Sequence, residues 1–150
     1  MKVIIGLFAF LAMVIGLAAC GGSAAPDRTH SSGPYNPETG VGKFTTVSID
    51  SVLNTTLVEK GRTIYNQKCV ACHKLDDVKI VGPGWKDLTR KHSATWIMNY
   101  LTNTDEMINT DPELKQLIAS GSPRMPDQNL SDEEARAVLE FMRQNDGIRD

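Results

Sequence analysis

Apolar and polar positions divide the chain into stretches of different character. Val3 to Leu17 is an apolar run broken only by Gly6 and Gly16. Gly21 to Lys43 has no hydrophobic period and holds five Gly, three Pro and three Ser among 23 residues, the composition of a tether. Phe44-Thr45-Thr46-Val47-Ser48-Ile49 alternates apolar with polar, which suits an extended segment lying on a surface. Beyond it the period turns helical. Thr56-Leu57-Val58-Glu59 fits a capping box and predicts a helix running to about Cys69. Gly61 interrupts it at a cost of roughly 1 kcal/mol against Ala, which a second backbone crossing close by would explain. Val81-Gly82-Pro83-Gly84-Trp85 is a turn and cannot be helical. Ser93 is expected to cap a helix to about Asn103, with Trp96, Ile97, Tyr100 and Leu101 on one side. Asp111-Pro112 opens another, with Leu114, Leu117 and Ile118 inward and Gly121 as its stop. Ser131 followed by Asp132-Glu133-Glu134 caps a last helix, whose Ala135, Val138, Leu139 and Met142 form an apolar stripe with Phe141 beside it, and Gly147 ends it.

With 150 residues, 23% charged and 41% hydrophobic, the chain suits one small soluble domain with appendages and not two domains. Lys2 gives the apolar run a short positive start, and the run ends in Leu17-Ala18-Ala19-Cys20. This resembles the lipobox of bacterial lipoproteins, which implies a signal peptide over 1–19 and lipid on Cys20. A tether over 20–54 and a folded domain over 55–150 would follow. An ordinary cleaved signal and an uncleaved anchor are the alternatives. The expected location is the surface of a bacterial membrane, facing the periplasm or the cell exterior.

Candidate chemistry is concentrated in Cys69-Val70-Ala71-Cys72-His73. C-x-x-C-H is the attachment signature of c-type haem: two thiols become thioethers on the vinyl groups and the adjacent imidazole becomes the proximal iron ligand. A thioredoxin-like C-x-x-C would want a βαβ context and usually Gly-Pro between the cysteines; here the residues are Val-Ala. A zinc site would need four ligands, with His92, His30 and Cys20 as the remaining candidates. The cysteine count favours haem with lipid. Lipid on Cys20 and one covalent haem on Cys69 and Cys72 leave no odd thiol in an exported protein.

Further motifs resemble monohaem class I cytochromes c over about Thr55 to Asp146. Gly61 with Tyr65 one turn later is similar to the family's first helix, and Val138-x-x-Phe141-Met142 to its partner on the C-terminal helix. The resemblance implies an all-α fold of four to five helices around one covalently bound haem. It implies that the Pro83 carbonyl holds the ring N–H of His73, which would orient the imidazole. It also implies that Met125, in Ser122-Pro123-Arg124-Met125-Pro126, is the sixth ligand. Met1 and Met13 belong to the leader, Met142 to the helix stripe, and Met98 and Met107 to helices or their edges; His92 is the rival. Trp96 is a candidate for hydrogen bonding to a haem propionate, with core packing as its other reading.

The function implied is that of an electron carrier and not an enzyme, with both axial positions filled and one electron exchanged with a redox partner. The alternatives are a haem enzyme or gas sensor with an open sixth site, and a haem-free redox or zinc module. Removing residues 1–19 takes away only Lys2 and leaves 15 basic against 18 acidic residues, a net charge of −3. Leu57 to His92 carries eight basic and four acidic residues, while Ser93 to Asp150 carries five and eleven. A basic rim on the attachment side could steer docking to an acidic partner. Nothing supports nucleic-acid binding, and a monomer is expected. Gly82 to Thr89, Trp96 to Asn99 and Arg124 to Ser131 together look like small cytochromes associated with nitrous-oxide reductase systems.

Overall fold

The computed structural model describes residues 35–148, so the expectations for the leader, for Cys20 and for the tether up to residue 34 lie outside the described residues. Among the described residues the chain is all-α: α1 (Thr55–Ile64), α2 (Leu88–Lys91), α3 (Ala94–Thr102), α4 (Thr104–Thr110), α5 (Pro112–Ala119) and α6 (Asp132–Asn145). Five have seven residues or more and α2 is a single turn, in line with the four to five helices expected.

The packing of α1 against α6 is the most extensive contact between elements. Gly61 makes it possible, because a Cβ there would overlap the carbonyl oxygen of Ala137 and stand 2.8 Å from the Cβ of Phe141. The cost of a mid-helix glycine is thus offset by close approach of two backbones. Val58 and Ile64 on α1 and Ala135, Val138, Leu139, Phe141 and Met142 on α6 are buried around this crossing. The α6 N-terminus is closed by a reciprocal pair: the Glu134 amide donates to Ser131 Oγ at 3.2 Å and the Ser131 amide donates to Glu134 Oε2 at 2.9 Å. At its C-terminus, Gly147 N–H donates to the Gln144 carbonyl at 3.0 Å and Ile148 N–H to the Arg143 carbonyl at 3.1 Å, a Schellman closure.

Three features differ from the sequence expectation. First, α1 is capped two residues earlier than the Thr56 capping box: Asn54 is the N-cap, and its Oδ1 accepts from Leu57 N at 3.0 Å. Second, α1 does not run unchanged to Cys69. Over Tyr65–Cys69 it widens into a π-helical turn in which Val70 N–H donates to the Tyr65 carbonyl at 3.0 Å. Third, residues 35–53 are not the end of a free tether. They form a strap packed on α3 and α4, so the folded unit reaches back to Tyr35 and not to residue 55.

Asn99 is the centre of the strap's attachment. Its Oδ1 accepts from Phe44 N at 3.0 Å, and its Nδ2 donates to the carbonyls of Thr39 and Phe44, both at 2.9 Å. Thr95 Oγ1 accepts from Val47 N at 2.9 Å, and Asn103 Nδ2 donates to the Val41 carbonyl at 3.2 Å. A lone extended strand has no ladder partner, so helix side chains satisfy its backbone. Val41 and Leu53 are buried, and Tyr35 donates its hydroxyl to Asp111. At the far end the buried Arg143 binds the Asp50 carbonyl and, at 2.8 Å, Glu140 Oε1, which also accepts from Asn54 N at 2.9 Å.

Candidate functional site: a haem cavity

The π turn and the loop after it fold the C-x-x-C-H segment tightly. Cys72 and His73 amides both donate to the Cys69 carbonyl, at 3.0 and 2.9 Å, and the Gly82 amide returns to the Cys72 carbonyl at 2.8 Å. Tyr65 donates its hydroxyl to the His73 carbonyl at 2.8 Å, and its ring packs between Trp85 and Phe141, with centroids 4.9 and 5.5 Å away. Cys69 is buried while Asn66, Gln67 and Lys68 stay exposed. Burial pushes the Cys69 thiol up to about 11.

His73 is held on two sides. Its Nδ1 lies 2.8 Å from the Pro83 carbonyl, which can only accept, so Nδ1 carries the proton and Nε2 has the free lone pair. A Cβ at residue 82 would overlap His73 Cε1 and stand 2.8 Å from Nδ1, so the loop can lie against the ring only because residue 82 is glycine. An imidazole fixed in tautomer and rotation in this way is a pre-oriented metal ligand.

Beside this segment lies a cavity of about 550 Å³. Cys69, Cys72, His73, Pro83, Trp96 and Met125 all line it, and Ile97, Leu101, Ile108, Leu114 and Leu117 supply much of its apolar wall. Met125 is half-buried in the stretch between α5 and α6 that has no regular structure. His92 and Met142 also reach the cavity. Met107 is fully buried and its sulfur accepts from Val41 N at 3.1 Å, so it serves the strap. Met98 is buried in the core.

Trp96 lines the cavity, and its indole N–H donates to Asp111 Oδ2 at 3.0 Å. Asp111 also accepts from Tyr35 and from the amides of Glu113 and Leu114 at 2.8 and 3.0 Å. Burial alone would raise its pKa, but these donors outweigh it and hold the carboxyl below the usual range. His92 stacks on the other face of this arrangement, its ring 3.9 Å from Trp96, and burial and the neighbouring Lys91 hold its pKa below the ordinary value. Sequence reasoning missed Asp111 as an acceptor, as well as two lysines: Lys68 donates to the Gln128 carbonyl at 2.9 Å and Lys79 to Ser122 Oγ at 2.6 Å.

The cavity suits haem c. Two thiols and an oriented imidazole stand on one wall, apolar side chains form the rest, and a soft thioether sits in the loop that shares the cavity. A zinc site has no comparable support: among the described residues no three His, Cys, Asp or Glu side chains gather as a metal-binding group.

Comparison with known proteins agrees with this chemistry. Residues 58–146 match the Cytochrome c family. The chain is similar to the solved structure of cytochrome c from Rhodothermus marinus, with 36% identity and a TM-score of 0.66, over 70% of this chain and 90% of that one. An engineered form of the Rhodothermus marinus protein gives 35% identity and a TM-score of 0.66 over the same shares. The same engineered protein bound to a carbene intermediate, 1-ethoxy-1-oxopropan-2-ylidene, gives 35% and 0.64. No curated protein matched the sequence. With its cavity, its attachment motif and its matched residues in agreement, this chain belongs to the cytochrome c family, of the monohaem class I type, and carries a covalently bound c-type haem.

Proposed function

We propose that this member of a family of haem-based electron carriers works with His73 and Met125 as its two axial ligands and passes single electrons to a partner protein at the membrane surface. The observation that carries this reading is that Met125 shares one apolar cavity with Cys69, Cys72 and His73, whereas the sulfur of Met107 is already used by the strap. When bound, the haem supplies one iron that alternates between ferric and ferrous states. Cys69 and Cys72 fix its position, and Pro83 and Gly82 keep the His73 imidazole from turning. The apolar wall and a neutral sulfur ligand both favour the less charged ferrous state and so raise the potential.

Export, lipid on Cys20 and delivery of electrons to a periplasmic reductase, of which nitrous-oxide reductase is one kind, belong to the same proposal. They rest on the Leu17-Ala18-Ala19-Cys20 sequence and on the motifs quoted above. Lys74, exposed next to the imidazole ligand, is the position for testing a basic docking rim. Stopped-flow mixing of the reduced protein with an acidic acceptor should show one electron transferred per haem, at a rate that falls as salt rises and falls again in Lys74→Glu. Peroxidase or reductase turnover by the protein alone would instead favour an enzyme with an open sixth site. Native protein should require detergent for extraction, and Cys20→Ser should release it or leave its precursor uncleaved.

A further inference from the structure

We propose that Lys68 and Lys79 are positioning residues for the distal side of the haem cavity: their ammonium groups latch the loop that carries Met125 to the haem-attachment segment. The proposal rests on Met125 as the sixth ligand. Lys68 directly precedes Cys69, and the backbone of Lys79 pairs with His73 as an isolated antiparallel bridge, so both lysines grow from the attachment side. Both reach the opposite loop. Their acceptors, the Gln128 carbonyl at 2.9 Å and Ser122 Oγ at 2.6 Å, stand three residues after and three residues before Met125. The ligand is therefore bracketed by two ties to the segment that holds the other axial group.

Apart from Arg124, the loop's own bonds are short-range, and none of them ties it to the attachment segment. Gln128 Nε2 donates to the Pro126 carbonyl at 2.9 Å and Asn129 N to Asp127 Oδ1 at 2.8 Å, which shape turns but do not place them over the cavity. Arg124 binds Asp105 at 3.1 Å and Asn109 at 3.0 Å, which anchors the loop to α4. A segment without helix or ladder opens locally at low cost, and a thioether leaves whenever its loop opens. Hydrogen bonds from a charged donor are among the stronger restraints available at that position. Ser122 is buried, so its bond with Lys79 is partly shielded from water although Lys79 is itself exposed, whereas the Lys68 bond is exposed. Lys79 should therefore be the stronger latch. Both acceptors are neutral, so the latches should persist at salt concentrations that screen docking to a charged partner.

The test is binding of imidazole to the ferric holoprotein, which must wait for the loop to release the sulfur. Lys79→Leu and Ser122→Ala should each speed imidazole association by about tenfold, the order expected for one hydrogen bond to a charged group, and the double variant should be no faster than either. Lys68→Leu should give a smaller increase, Lys74→Leu none, and Lys79→Arg should return the rate to near wild type. The sulfur-to-iron charge-transfer band should fade at a lower temperature in Lys79→Leu while the circular-dichroism melt is unchanged. If Lys79→Leu fails to mature, Ser122→Ala and Lys68→Leu carry the test. Wild-type rates and band stability in these variants, with the band lost in Met125→Ala, would overturn the latch alone. A band that survives in Met125→Ala would remove the ligand assignment and the latch with it.

Discussion

The two sides of the haem cavity are built by different means. The attachment side is a short piece of chain folded on itself: the Cys69 carbonyl takes two amides, the Cys72 carbonyl takes that of Gly82, the Lys74 carbonyl takes that of Trp85 at 2.8 Å, and Pro83 reaches the imidazole ten residues back. The Met125 side has no such closure: Arg124 ties it to α4, and two lysines reach it from 43 and 60 residues before their acceptors. The side that must hold a covalent cofactor is locally determined and rigid. The side that carries Met125 depends on tertiary contacts, which the rest of the protein can loosen.

The largest effect should come from crowding the rigid side. Gly82→Ala places a methyl group against the imidazole, and overpacking of this kind costs roughly 1–3 kcal/mol or more. The loop should be forced off His73, with a sharp fall in the yield of correctly ligated holoprotein and in its urea midpoint. Met125→Ala should be milder for the fold, at about 1–2 kcal/mol for a half-buried side chain, with covalent haem intact and a lower reduction potential. A larger urea-midpoint loss in Met125→Ala than in Gly82→Ala would reverse the comparison.

The smallest effect concerns the strap, which is tied on by long-range contacts as the Met125 loop is. Asp111 has its pKa held below the usual carboxylate range in the folded state. Its contribution is therefore complete above the ordinary Asp range and is lost as pH falls through the depressed folded value. His92 acts in the same direction, since its lowered pKa makes protonation unfavourable to the folded state as pH falls below the ordinary histidine value. Urea midpoints should fall on acidification. Asp111→Asn should flatten the lower part of that fall and His92→Phe the part just below the ordinary histidine range, each by less than the effects of Gly82→Ala and Met125→Ala. An unchanged acid limb in Asp111→Asn would separate the strap from this carboxylate.

What was legible in the sequence was what neighbouring residues determine. The Cys69-to-His73 motif, the Ser131 cap and the Asp111-Pro112 start are each complete within a few residues, and Gly61 announces a close crossing by its cost alone. The strap was only half legible. Alternation over Phe44 to Ile49 shows an extended chain, but nothing in that pattern names Asn99 or Thr95 as the groups that receive its backbone. The indole of Trp96 looked available because its acceptor, Asp111, reads equally well as a helix cap and in fact serves both uses. The lysines at 68 and 79 read as rim charges, since their acceptors are a main-chain carbonyl and a serine with no sequence signal of their own. The π turn over Tyr65–Cys69 has no sequence mark either.

The central claim is that the sixth position is closed by Met125, which separates a carrier from a haem enzyme or sensor. Carbon monoxide added to the ferrous protein tests it most directly. The wild type should bind it slowly or not at all, and Met125→Ala should bind it at once with His92→Ala behaving as wild type. Immediate binding by the wild type would show an open sixth site and contradict the carrier reading; closure that survives in Met125→Ala but fails in His92→Ala would give the distal position to the imidazole.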